Sequence, residues 1–292
     1  MPTFETPEPI AVTLDVGVGD IRVVASDRTD TLVDVRPSDP SKKSDVTAAE
    51  QTLVEYSSGR LLVKAPKGWR QWSLRSRGES IDVQIELPAG SQVSGEAGVA
   101  MLRSTGRIGA CRFKTGAGDI QVDQTGSLDL KAGAGDITVG HAAGNVEVST
   151  GTGAVGIGSI DGSAVVKNSN GDTWVGEVRD DLRVKAANGR ITVDRARAAV
   201  TAKTANGDVR LGEVERGAVL VETAAGTIEV GVRDGVAAWL DLKTGFGNVR
   251  NDLEASDRPT ADEEAVDVHA RTAYGDITIR RCPTNDGGGD EA

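Results

Sequence analysis

The chain has 292 residues, of which 38% are apolar and only 3% aromatic, with 37 glycines, two cysteines and a net charge of −11. That glycine share is too low for collagen, and the apolar share is too high for wholesale disorder. The acidity argues against a general nucleic-acid binder, and two thiols cannot staple a disulfide scaffold. No uncharged apolar run approaches the ~20 residues that a membrane-spanning helix needs. The first residues show neither a basic n-region nor an apolar h-region. The expectation is therefore a cytoplasmic protein, with the cell surface or secretion as the alternative if export is non-classical or a signal has been trimmed.

Residues 1–97 hold strand-like runs at 10–14, 21–24, 32–35, 61–64 and 81–87, with a short helical turn at 44–51. They include the segment Val12-Thr13-Leu14 through Gly19-Asp20-Ile21-Arg22-Val23, an outlying copy of a pattern that dominates the rest of the chain. This part reads as an irregular β cap or small sandwich, continuous with the repeats from residue 98 onward.

The pattern is Gly-Asp-Ile-x-Val, found at Gly19, Gly118, Gly135 and Gly275 (the last with Ile for Val), with looser copies from Gly153, Gly171, Gly189, Gly207, Gly226 and Gly247. From Gly118 onward the steps are 17, 18, 18, 18, 18, 19, 21 and 28 residues. Around each glycine, aliphatic positions alternate with polar ones; around Gly189 they are Leu182, Val184, Ile191 and Val193. Alternation of period two with a β-branched bias predicts two short strands meeting at the glycine. One such pair cannot bury its apolar face, but coils stacked at ~4.8 Å align those faces into one core. A sharp corner favours glycine, and Asn170, Asn188 and Asn206 fall where their amides could form a ladder. The predicted fold is all-β: a β-solenoid of about nine two-strand coils over residues 98–281, each of about 18 residues. An acidic loop at 251–268 interrupts the last coil, and 282–292 is expected to be a disordered tail.

The first candidate site is a column four residues before each corner glycine: Lys114, Lys131, Ser149, Lys167, Lys185, Lys203, Glu222, Lys243 and Arg271. Strand parity turns it outward, giving a positive stripe suited to an anionic polymer. The plainer alternative is a solvated edge neutralised across the corner by Asp119, Asp136, Asp172, Asp208 and Asp276. A second candidate is the cap segment with Arg60, Lys64, Lys67, Trp69, Arg70, Trp72, Arg75 and Arg77. Aromatic faces among cations suit sugars, phosphates or an acidic protein surface. Alternatively, the tryptophans plug the end of the stack and the arginines snorkel over them. Trp174 is expected to face outward beside Gly156 and Thr192, leaving a shallow shelf.

Corner aspartates spaced about 18 residues apart cannot supply the six to eight oxygens of a calcium site. Gly151-Thr152-Gly153-Ala154-Val155-Gly156 precedes a strand rather than the helix that a dinucleotide site requires. His141 and His269 read as isolated loop residues, Cys111 as a small core residue and Cys282 as a reactive surface thiol near the tail. No catalytic residue, cofactor or metal is expected.

The repeated units, preceded by Ile81-Asp82-Val83-Gln84-Ile85-Glu86-Leu87-Pro88-Ala89-Gly90, resemble a bacterial β-strand-repeat family of unknown function labelled "putative adhesin" over roughly residues 10–281. The resemblance implies surface display and binding to another molecule, and it transfers no catalytic residue. The reading is a non-enzymatic binding or scaffold protein whose ligand is an anionic polymer or a protein partner. The alternatives are a polysaccharide-acting enzyme with a groove along the solenoid, and an intracellular partner of a membrane or regulatory complex. Two acids converging in a cleft near Trp174 would favour the enzyme.

Overall fold

Alternating side chains become paired strands around each corner glycine. Leu182–Asn188 and Ile191–Ala196 flank Gly189, and Leu182, Val184, Ile191 and Val193 are all buried. The computed structural model describes residues 2–66, 79–253 and 265–282, which form 25 strands and one helix, and it divides into two units, Met1–Gly156 and Ile157–Ala292. At Gly189 φ is +130°, and a Cβ there would overlap the carbonyl oxygen of Gly171 in the coil below. Only glycine meets both conditions without strain.

In the first unit the two arms of a coil can be one strand. Ala11–Ser26 pairs in parallel along its length with Gln92–Arg107, and bends at Gly19, where φ is +143°. On its other edge it takes two partners, Arg60–Lys64 for its first arm and Ile81–Pro88 for its second. The outlying sequence copy is thus a full coil. Parallel stacking continues through Cys111–Ala117 with Ile120–Thr125, then Leu128–Ala134 with Ile137–Ala142. At the start of the unit the parallel rule stops. Leu53–Ser57 pairs antiparallel with Arg60–Lys64, and Asp30–Pro37 pairs antiparallel with Ile81–Pro88. The segment read as a helical turn is a helix, Lys43–Gln51, which buries its Ala48. Within this unit Leu14, Ile21, Leu102, Phe113, Leu130 and Ile137 are fully buried.

The second unit stacks Ala164–Asn170 with Thr173–Val178, Leu182–Asn188 with Ile191–Ala196, Val200–Asn206 with Val209–Val214, and Gly217–Ala225 with Ile228–Arg233. Chain order then departs from spatial order. Gly217–Ala225 pairs not with the next strand in sequence but with Ala265–Tyr274, and Ile228–Arg233 pairs with Ile277–Cys282. The intervening coil, Ala237–Phe246 with Val249–Asn251, lies outside that last pair. The final coil in sequence is therefore inserted beneath its predecessor. Side-chain quality explains the order: Val268, Ala270, Ile277 and Ile279 are fully buried, whereas the outer coil puts exposed Val249 and Asn251 in the same columns.

Three assignments are corrected by these strands. His141 lies in the strand Ile137–Ala142 and His269 in Ala265–Tyr274, where its Nδ1 is 3.4 Å from Asp241 Oδ2 and its Nε2 is 3.2 Å from Asp267 Oδ1. Cys282 is buried, and its thiol donates to the Gly212 carbonyl at 2.9 Å, because the inserted coil brings it against that backbone. Burial pushes its pKa up, and pushes that of Cys111 up to about 12. Among the described residues no helix is long and apolar enough to cross a membrane.

Candidate functional site

The corner aspartates are engaged by the backbone. Each accepts a backbone N–H from the next coil: Asp119 Oδ1 from Asp136 at 2.9 Å, Asp136 Oδ1 from Ala154 at 2.7 Å, Asp172 Oδ1 from Arg190 at 2.8 Å and Asp208 Oδ1 from Thr227 at 2.9 Å. This explains why aspartate comes directly after the glycine. At the corner the strand ladder is interrupted, and a carboxylate supplies the acceptor that an exposed N–H would lack. The N–H of Thr227 holds the Asp208 carboxyl below its ordinary value. The asparagine ladder forms as expected, with Asn188 Nδ2 donating to Asn170 Oδ1 and Asn206 Nδ2 to Asn188 Oδ1, both at 2.9 Å.

The lysines lie in outward rows. In the second unit Lys167, Lys185 and Lys203 are direct register neighbours, and the run ends where Lys203 Nζ meets Glu222 Oε2 at 2.6 Å. Arg271 and Lys243 continue the row beyond Glu222, and Lys243 Nζ lies 3.2 Å from Asp241 Oδ1 on its own strand. The other arm of the same coils is arranged differently. There Glu177, Arg195 and Glu213 alternate in sign along the register, and Arg197 Nη2 reaches Glu177 Oε1 at 2.7 Å. This alternating network was not anticipated, although reading the sixth position after each glycine as a column would have exposed it.

In the first unit the equivalent row runs Lys64, Asp15, Glu96, Lys114 and Lys131 in register. Lys114 and Lys131 line a concavity of about 470 Å³ with Asp15, Glu96, Arg112 and Asp129, with Gly95 contributing no side chain. Asp129 is engaged from both sides, by Arg112 Nε and Lys131 Nζ, each at 3.2 Å. Arg60 is exposed on the same strand as Lys64. Lys67, Trp69, Arg70, Trp72, Arg75 and Arg77 lie outside the described residues. Trp174 is 44% exposed, in register with Thr192, and its indole N–H donates to Asp194 Oδ2 at 3.0 Å. The structure thus joins Lys114 to Lys131 and Lys167 to Lys185 and Lys203, and places Trp174 on the opposite arm from the lysines. Among the described residues no group of three or more His, Cys, Asp or Glu side chains could hold a metal.

The family model described as Toastrack DUF4097 matches residues 11–280. A protein described as a "putative adhesin" from Parabacteroides merdae is similar at 14% identity, over 96% of this chain and 95% of that one, with a TM-score of 0.39. Another so described, from Bacteroides fragilis, has the same identity and coverage and a TM-score of 0.36. A "putative cell adhesion protein" from Clostridium sporogenes is 11% identical over 96% and 98% of the two chains, with a TM-score of 0.25. No protein with a curated description matches.

Proposed function

This chain belongs to the Toastrack DUF4097 family, and from its outward rows we propose a non-catalytic binding or scaffold protein that takes an extended anionic polymer along a strand face. One observation carries the reading. On one arm of the second unit, neighbouring coils present opposite charges, but on the other they repeat Lys167, Lys185 and Lys203. Like charges directly opposite one another across strands are mildly destabilising. A surface that alternates signs on one arm and repeats them on the other presents a line of cations at the ~4.8 Å strand spacing. A polymer with regularly repeated phosphate or carboxylate groups can bridge several such cations at once, so individually weak contacts add through multivalency. The adhesive role named for the similar structures is one setting for such binding.

The polysaccharide-cleaving alternative gains less support. The carboxylates of the large concavity are interleaved with cations, and Asp129 is held by two of them. Trp174 does not line it.

The test is calorimetric titration with polyphosphate and with an acidic polysaccharide at two salt concentrations. The triple variant Lys167→Glu, Lys185→Glu and Lys203→Glu should weaken binding by about tenfold or more. It should also flatten the salt dependence, because fewer counterions are displaced. A parent that binds neither polymer, or a triple variant that binds like the parent, overturns the proposal.

A further inference from the structure

Three of the chain's eight asparagines precede a glycine, and all three stand in one column of the second unit: Asn170-Gly171, Asn188-Gly189 and Asn206-Gly207. Such a junction is chemically labile, because no Cβ shields the glycine nitrogen from the side-chain carbonyl carbon before it. Here the stack holds both reactants. The Gly171 N–H donates to Asn188 O at 3.0 Å, Gly189 N–H to Asn206 O at 2.9 Å and Gly207 N–H to Ala225 O at 2.9 Å. The side chains are held unequally. Asn188 is engaged on both sides, its Nδ2 donating to Asn170 and its Oδ1 accepting from Asn206. Asn206 makes only the donating bond of the ladder, since the next coil puts Ala225 in register with it and Ala225 carries no amide.

We infer that Asn206 is a site of spontaneous, charge-adding modification, and that the amide ladder protects Asn188 within it. The Gly207 nitrogen attacks the side-chain carbonyl carbon of Asn206, forming a new C–N bond. The bond from that carbon to Nδ2 breaks, and ammonia leaves with the proton given up by the Gly207 N–H. Water then opens the cyclic imide at either carbonyl, giving aspartate or isoaspartate and an added negative charge. To react, the glycine nitrogen must leave its carbonyl partner in the next coil and the asparagine side chain must turn toward it. The backbone bond is the same length at both junctions, but one ladder bond resists the turn at Asn206 and two resist it at Asn188. One hydrogen bond of this kind makes a difference of about two- to tenfold. Local sequence does not, because both asparagines stand in Ala-Asn-Gly. Position in the stack therefore decides which junction is modified first.

Peptide mapping by mass spectrometry tests the site, with the full chain held folded in mildly alkaline buffer and, in parallel, unfolded in urea. Unfolded, Asn188 and Asn206 should be converted at similar rates. Folded, both should slow, with Asn206 ahead of Asn188 by about two- to tenfold. Ala225→Asn extends the ladder by one amide, so Asn206 should slow to the rate of Asn188 and the labile end should pass to the new junction with Gly226. Asn188→Ala removes the acceptor of Asn206 Nδ2 and should speed conversion at Asn206. Should Ala225→Asn fail to fold by circular dichroism, Asn188→Ala decides. Equal folded rates at the two junctions, conversion of Asn188 first, or a rate at Asn206 that neither variant changes overturns the inference.

Discussion

The inserted coil can be tested by comparing two residues of one column. Ile277 and Val249 both sit two places after a corner glycine. Ile277 is fully buried, with Ile228 in register on one side and Val249 on the other, whereas Val249 is 46% exposed and, among the described residues, pairs in register with Ile277 alone. Ile277→Ala removes three carbons at about 0.8 kcal/mol each, and the enclosed site cannot collapse fully, so the cost should reach about 3–4 kcal/mol. Val249→Ala removes two carbons, already half in water and with no cavity to leave, and should cost about 1 kcal/mol or less. Had the coils stacked in chain order, 265–282 would be terminal and 237–251 interior, and the ranking would reverse. Urea unfolding of both variants measures the difference from the shift in midpoint at constant slope. A Val249→Ala loss equal to or larger than that of Ile277→Ala would refute the spatial order.

The same contacts set three further outcomes. Gly189→Ala should lower stability by about 1–3 kcal/mol through backbone strain alone, with more from the overlap with Gly171, and a thermal melt like the parent's would contradict the corner geometry. Asp208 has a lowered folded pKa, chiefly because it accepts the Thr227 N–H. Its contribution is therefore complete above the unfolded carboxyl value of about 3.9 and is lost as pH falls below it, and Asp208→Asn should show a shallower loss of urea midpoint on acidification. Neither Cys111 nor Cys282 should react with a thiol reagent at mildly alkaline pH in the folded protein, while both should react once it is unfolded, because burial disfavours the thiolate.

The aliphatic columns were legible because burial on one face imposes a strict period of two, and a phase shared by successive coils leaves little freedom in register. Hydrogen-bond partners were not legible in the same way. Spacing shows that aspartate comes after glycine; it does not show whether the carboxylate turns sideways to a lysine or upward to the next backbone. A buried polar column was missed as well. The position three before each glycine shares the parity of the core, yet in seven of the nine units it reads Thr115, Thr150, Asn168, Thr204, Thr223, Thr244 and Thr272, with Ala132 and Ala186 in the other two. These groups are tolerated inside where they find a corner carbonyl. Thr223 Oγ1 donates to Gly207 O at 3.0 Å, Thr272 Oγ1 to Gly226 O at 3.1 Å and Asn168 Nδ2 to Gly171 O at 2.9 Å. A hydroxyl in an inward column marks where the chain is about to turn.

The order of the last coils was encoded, but in side-chain character rather than in spacing. The coil with neighbours on both sides is apolar in all four columns, Val268, Ala270, Ile277 and Ile279. A coil at the end can tolerate Asn251 in the fourth, since solvent still reaches it. The corner acceptors agree. Asp276 accepts the N–H of Asn248 at 2.7 Å, so the coil that carries the carboxylate lies beneath the coil it caps, even though it comes later in the chain. The outer coil has Asn248 at the equivalent corner position. A carboxylate at a corner therefore points to a neighbour above it. Asp276 with its four apolar columns, set against Asn248 and the solvent-reached Asn251, agrees with residues 237–251 lying outermost, where glycine spacing by itself places 265–282.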